Sequence, residues 1–315
     1  MYDQIKQFIE QEYGITITNC VDAPRQFVAT TYILTISSGE KYFCKIVDKP
    51  LFIPHLIESL PILKQLHQQG FDRINYPIAT KKGNLYLRQN NLLIVLFNYI
   101  NALQNYDYDL FTFGQLIASL HQTTSQIDLV MPKEDFHYQY EGIFENQLNQ
   151  LLTNQSNDQI LISLQTLLKK YQTELKHDYD NFMKLSRKFQ QSDLKMVITH
   201  GDPGGNTLVK TPTDLYLIDG DDILLSPQER DIWFFADHPD FLKGYQSIFP
   251  NYQINQELYH YFAYKRYFQD LVEYFAEISG RGTKEHRQKN LQGLEHNCFE
   301  GWLRPAIRRF DPFAH

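Results

Sequence analysis

Cysteine is scarce in this chain and basic charge never gathers in one place. Cys20, Cys44 and Cys298 are scattered, odd in number and form no CxxC pair, so neither a disulfide framework nor a thiolate zinc site is expected. Lys and Arg total 30 against 37 Asp and Glu, a formal net charge of −7. That balance argues against a nucleic-acid partner, which calls for Lys and Arg concentrated on one face. Long apolar runs are missing too: the longest, around residues 92–100, is too short to cross a bilayer. The first residues, MYDQIKQFIEQEYG, contain no apolar core of the secretory type. No membrane partner is expected, and a reducing cytoplasm is the expected compartment. No internal repeat is visible. What is plentiful is aromatic: 22 Phe and 21 Tyr among 315 residues, with 43% hydrophobic overall. That is ample for a globular core, and at this length two subdomains are expected.

Ile5, Phe8, Ile9 and Tyr13 recur at helical spacing, so a short amphipathic helix opens the chain. Residues 27–36 and 41–47, rich in β-branched and aromatic side chains and joined by Ser37-Ser38-Gly39-Glu40, read as a hairpin. Its second strand sets Lys45 among apolar neighbours. Residues 56–69 carry Leu56, Leu60, Leu63 and Leu66 on one helical face, closed by Gly70 and with Glu58 near the start. Pro61 must lie in the first turn of that helix or kink it. Strands resume at 85–87 and 92–97, then a polar break at 98–108 marks the boundary between residues 1–98 and 99–315. Beyond it, Phe113, Leu116, Ile117 and Leu120 mark a helix ending in Leu120-His121-Gln122-Thr123-Thr124. Residues 144–158, rich in Asn and Gln, read as a helix end and a loop. Strands early and helices late describe an α+β chain.

The most informative stretch is VITHGDPGGNTLVKTPTDLYLIDGDD, residues 197–222. It sets His200-Gly201-Asp202, Asn206, Asp219 and Asp221 on two short apolar strands joined by a turn. Acidic residues and an amide at strand ends suit Mg²⁺, which takes hard oxygen ligands from one or two carboxylates plus substrate phosphates. Phosphoryl transfer is the chemistry this pattern points to.

The ordered set of a strand lysine, a helix glutamate, a strand leading into a polar connector, HGD followed by Asn, and a later Asp resembles the aminoglycoside phosphotransferase and choline kinase family. The resemblance covers nearly the whole chain. It is nearest the spectinomycin phosphotransferase type in Tyr42-Phe43-Cys44-Lys45, the Leu120-His121-x-Thr123 ending and Ser226-Pro227-Gln228-Glu229-Arg230-Asp231. It implies a bilobal protein-kinase-like fold, with a small antiparallel-sheet lobe at residues 1–98 binding nucleotide. A larger, mostly helical lobe at 99–315 would carry catalysis and the acceptor.

Residue by residue, the resemblance makes Lys45 the holder of the α- and β-phosphates of ATP or GTP, with Glu58 its ion-pair partner. Phe97, Asn98, Tyr99 and Ile100 form the connector that meets the base. Asp202 orients or accepts the proton of the acceptor hydroxyl, while Asn206 and Asp219 hold Mg²⁺. His200 braces the loop and Asp231 ties it by hydrogen bonds. Two features depart from the family pattern. Asn206 lies four residues after Asp202, where kinase-like loops place the asparagine five residues on. No glycine covers the phosphates in the first turn, residues 21–31.

Asp221 and Asp222 are open to metal binding, to lining the acceptor pocket, or to capping, and Asp221 is assigned to the pocket. Residues 258–278 present Arg266, Asp270, Glu273 and Glu277 on one face of a helix. Asp270 and Glu273 are candidates for an amine-bearing acceptor, against the plainer pairing of Arg266 with Asp270 at i, i+4. The expected partner is a small, cationic molecule: an aminoglycoside or aminocyclitol, or alternatively choline, homoserine or a related metabolite. A further alternative is a nucleotide-binding interaction protein that has lost transfer.

Overall fold

The structure, a computed structural model, describes residues 3–23, 29–102 and 107–310. Residues 24–28 of the turn expected over the phosphates, the first two residues of the expected hairpin strand among them, lie outside the described residues. So do residues 103–106 of the polar break.

In chain order the elements are α1 (Asp3–Tyr13), β1 (Ile17–Asp22), β2 (Thr30–Ile36), β3 (Lys41–Val47), α2 (Ile53–Gln68), β4 (Leu87–Gln89), β5 (Leu92–Asn98), α3 (Leu110–Gln122), α4 (Ile143–Thr153) and α5 (Gln159–Gln190). Then come β6 (Val197–Thr199), β7 (Leu208–Lys210), β8 (Leu215–Leu217), β9 (Leu224–Ser226), α6 (Glu229–Ile232), α7 (Pro239–Gln246), α8 (Gln256–Ser279), α9 (Lys284–Leu294) and α10 (Leu303–Arg308). Contacts divide the chain into two units: one comprises Met1–Glu134, Met196–Asp231 and His238–Tyr252, the other Asp135–Lys195, Ile232–Asp237 and Gln253–His315. Among the described residues no helix is long and apolar enough to cross a membrane.

In the first unit a five-stranded antiparallel sheet has the order β1-β2-β3-β5-β4. Successive side chains alternate between its faces. Leu34, Cys44, Ile46, Ile94 and Leu96 therefore share one face, where Ile5, Ile9 and Tyr13 of α1 cover them. α2 begins earlier than the leucine pattern suggests, with Pro54 in its first turn, a position where the missing N–H costs nothing. Pro61 consequently lies in the helix interior rather than at its start. The sheet's first strand, β1, has no counterpart in the sequence reading. It buries only Ile17, so it carries no alternation to read.

The same unit holds two two-stranded pairs, β6 with β9 and β7 with β8, and the helices α3 and α7. These two helices approach so closely that a Cβ on Gly114 would lie 2.1 Å from the Phe241 carbonyl oxygen, and one on Gly244 2.0 Å from that of Phe111. Only glycine permits that approach.

The second unit is helical. Asp158 caps α5 by accepting from the Ile160 and Leu161 amides and also takes the Arg287 guanidinium at 2.7 Å. Tyr138, Phe144, Tyr179, Phe182, Tyr261 and Phe268 form an aromatic core between its helices. Arg308 closes it with a two-pronged bond to the buried Asp178, at 2.6 and 2.7 Å. The α+β composition and its order, antiparallel sheet first and helices after, match the sequence-based expectation.

Candidate active site

Lys45 is the natural starting point. Because Cys44 and Ile46 turn toward α1, alternation sends Lys45 to the other face of the sheet, in register with Thr31 and Val95. It is 2% exposed. A buried ammonium needs a counter-charge, and Lys45 finds two: its Nζ lies 2.6 Å from Asp219 Oδ1 and 2.5 Å from Asp221 Oδ2. Burial alone would lower the lysine pKa, but the charges of Asp221 and Asp219 outweigh it and the pKa is raised. Burial pushes the Asp221 carboxyl up, Lys45 opposes that, and Asp219 adds to it. One cation therefore faces two carboxylates, leaving residual negative charge that a further cation would offset.

Local geometry explains how Asp219 reaches this point. It adopts φ +67° and ψ +44°, a left-handed conformation costing on the order of 1 kcal/mol that persists only where surrounding contacts impose it. The next residue, Gly220, lets α2 press onto the turn, for a Cβ there would meet Leu63 at 2.9 Å. In the β7–β8 pair Leu208 faces Leu217, and the Ile218 amide donates to the Thr207 carbonyl at 2.8 Å. One step further along this ladder come Asn206 and Asp219, at the same end of the hairpin.

Asp202 is exposed on the loop after β6. The loop reaches Asn206 with one residue fewer than the kinase pattern by using two glycines. Gly204 sits at φ +115° and ψ −179° and Gly205 at φ +52°, the first of these in a region essentially closed to other residues. The Thr207 hydroxyl closes the loop, lying 2.5 Å from the Asp202 carbonyl oxygen and accepting from the Gly204 amide at 3.1 Å.

Behind the loop, Asp231 is 1% exposed and accepts from the His200 and Gly201 amides, each at 2.7 Å. His121 Nε2 stands 3.1 Å from the same carboxylate, and its Nδ1 is 2.7 Å from the Tyr245 hydroxyl, which also accepts from Gln228. Burial would raise the Asp231 pKa, yet His121, Arg230 and His200 hold it below the usual value. His200 donates from Nε2 to the Ile218 carbonyl at 3.1 Å. It thus ties the Asp202 loop to the residue before Asp219. The sequence reading gives His200 and Asp231 the task of bracing this loop, and these are the bonds in which the structure places them.

Other expected residues fall differently. Glu58 is exposed on α2, outside the buried stripe of Leu56, Leu60 and Leu63, and Lys45 is held by the two aspartates instead. Asp221, expected in the acceptor pocket, is committed to Lys45. In the connector, Phe97 is buried opposite Phe43. Asn98 turns to the sheet edge, its amide donating to the Tyr76 carbonyl at 3.0 Å and its side chain accepting from the Tyr76 amide at 2.7 Å. Asn98 therefore spends its main-chain donor inside the fold. Tyr99 and Ile100 are half-buried, with Lys41 Nζ 5.5 Å from the Tyr99 ring centre. In the second unit Asp270 accepts from Arg266 at 2.7 Å, the plainer of its two readings, and Glu273 is exposed and accepts from Gln269 at 3.1 Å.

Tyr245, Thr207 and Arg230 were not singled out as site residues by sequence. Nothing local marks Tyr245, whereas a histidine inside the apolar face of α3 was a readable signal for His121. Among the described residues no group of three or more His, Cys, Asp and Glu side chains is arranged to hold a metal by itself. The oxygens of Asp219 and Asn206 nevertheless suit Mg²⁺, which is commonly held by one or two protein groups and completed by phosphates and water.

No protein-family model matches the sequence. No curated protein matches it. Solved structures do. A spectinomycin phosphotransferase in complex with ADP and spectinomycin aligns over 98% of both chains, with a TM-score of 0.78 at 20% identity. A microcompartment-associated aminopropanol kinase aligns over 97% of this chain and 96% of its own, with a TM-score of 0.66 at 15% identity. An aminoglycoside phosphotransferase from Alicyclobacillus acidocaldarius subsp. acidocaldarius covers 98% of this chain and 94% of its own, with a TM-score of 0.62 at 14% identity. At such identities the likeness is one of fold: the chain has the kinase-like fold of these phosphotransferases.

Proposed function

We propose that this protein is a phosphotransferase that moves the γ-phosphate of ATP or GTP to a hydroxyl of a small, amine-bearing molecule. An aminoglycoside or aminocyclitol of the spectinomycin kind is the first acceptor to test. The observation that carries the reading is the convergence of Lys45 with Asp219 and Asp221, across 174 and 176 residues of chain. A buried lysine shared by two acids is a charge arrangement ready for a nucleotide and a cation.

On this reading residues 1–98 carry the nucleotide and residues 99–315 the catalytic loop and acceptor groups. Lys45 turns from Asp219 to the α- and β-phosphates when nucleotide enters. Asp221 keeps the ammonium oriented, the part expected of Glu58. Asn206 and Asp219 hold Mg²⁺, which when bound neutralises charge on the phosphates. Asp202, exposed at the loop tip, aligns the acceptor hydroxyl and takes its proton as the oxygen–phosphorus bond forms and the bond to the β-phosphate breaks. Alignment of this kind is most of what phosphoryl transfer asks of a protein. With Asp270 engaged by Arg266, Glu273 is the freer of the two acids for the acceptor's amine.

The test is ADP release with Mg²⁺ and ATP or GTP across spectinomycin, aminoglycosides, choline, homoserine and aminopropanol. One acceptor class should stimulate release, and Asp202→Ala should lower kcat by about 10²–10⁴-fold while nucleotide still binds. Nucleotide binding with no acceptor-stimulated release from the wild type would instead identify a binding protein.

A further inference from the structure

We infer that Arg230 is the positioning residue that fixes Asp202 and Asp219 relative to one another. The geometry stands by itself; its catalytic meaning rests on the phosphotransferase reading. Arg230 is half-buried on α6. Its Nη1 donates to the Thr199 hydroxyl at 2.8 Å, and its Nη2 donates to the Asp222 carbonyl at 3.0 Å. Thr199 ends β6 just before His200-Gly201-Asp202, and Asp222 ends the turn that Asp219 begins. The Thr199 hydroxyl donates in turn to the Leu224 carbonyl at 3.1 Å, so its single hydrogen is spent and its lone pair is left facing the guanidinium.

The guanidinium also lies directly on the backbone of Gly201. A Cβ there would fall 2.3 Å from Nη2 and 2.6 Å from Cζ, and Gly201 has φ +97°. The residue beside Asp202 thus lacks a side chain at the point where Arg230 rests. His200 already ties the loop to Ile218, at the start of the Asp219 turn, at 3.1 Å. Arg230 ties it to Asp222, at the other end. The Asp219 turn, with Asp219 in its left-handed conformation, is thus tied at both ends, and the segments that lead to the two acids bond the same cation. Lysine cannot substitute, because the two acceptors belong to different segments and only the planar fork of arginine reaches both.

The experiment compares wild type with Arg230→Ala, Arg230→Lys and Arg230→Gln. Hydrogen exchange is followed in peptides covering residues 197–207 and 215–226, and ADP release is measured on the best acceptor. Exchange should rise in both peptides together in every variant. Displacing an aligned group by about 1 Å costs on the order of 10²-fold, so kcat should fall by about 10²-fold while nucleotide affinity stays within about threefold. Added guanidinium ion should restore part of the Arg230→Ala rate, which a general loss of stability would not allow. Unchanged exchange in both peptides, or wild-type kcat in Arg230→Lys, would overturn the inference. A wild type that fails to turn over with any acceptor contradicts the phosphotransferase reading, and the exchange arm still decides whether Arg230 clasps the two turns.

Discussion

At the scale of the residue, the site is set by a few groups whose surroundings decide their charge. Asp231 is the clearest. Its pKa is depressed by His121, Arg230 and His200 against the opposing pull of burial. A carboxylate with a lowered folded pKa contributes stability above its unfolded pKa and loses it as pH falls through the folded one. Removing one partner of such a buried, hydrogen-bonded group costs about 3–5 kcal/mol. Asp231→Asn should therefore be less stable than wild type at pH 6, with the gap starting to close as pH falls below about 3.9, where the unfolded acid takes up its proton, and closing further toward the lower folded pKa, where the native acid too becomes neutral like the amide. Denaturant unfolding across pH measures this; a gap that stays constant down to pH 3 would contradict the assigned charge state. Much at this scale was legible in sequence. His200, Asp202, Asn206 and Asp219 share the stretch 197–222, and Asp231 ends the run Ser226-Pro227-Gln228-Glu229-Arg230-Asp231. What could not be read was which acid holds Lys45, because a pairing across 174 residues leaves no trace in local spacing. Order along the chain points to Glu58, yet Glu58 stands two residues from Leu56, off the stripe of Leu56, Leu60 and Leu63, and is exposed.

At the scale of the element, helix faces and the hairpin at β2–β3 were readable from periodicity, and boundaries were less so. α2 starts earlier than its leucines suggest because Pro54 suits a helix start better than Pro61. β1, an edge strand burying one residue, gave no signal. The close approach of α3 to α7 was equally silent, since a glycine inside a helical pattern reads as a weakness rather than a contact. That contact matters to the site: α3 presents His121 and α7 presents Tyr245, and the two meet at 2.7 Å behind Asp231. Gly244→Ala would set a methyl 2.0 Å from the Phe111 carbonyl, and forcing such atoms apart typically costs about 1–3 kcal/mol. A drop of that size in unfolding free energy, accompanied by lower kcat, is expected. Wild-type stability in this variant would contradict the close packing.

At the scale of the whole molecule, the order of parts in the sequence was enough to anticipate a kinase-like fold, because that fold strings its lysine, connector, loop and metal acid along the chain in a fixed sequence. The acceptor was not legible to the same degree. On the proposed reading its specificity depends on which acids remain for an amine after folding, and Asp270 is taken by Arg266. A fold of this kind serves many acceptors, so chemistry must be read from the product. The most direct measurement is phosphorus NMR of a reaction containing Mg²⁺, ATP or GTP and an accepted acceptor. The account predicts a new phosphate monoester resonance growing in equal amount with nucleoside diphosphate, and neither signal growing at a comparable rate in Asp202→Ala. Nucleoside diphosphate accompanied only by inorganic phosphate, or an ester formed as fast by Asp202→Ala as by wild type, would contradict it.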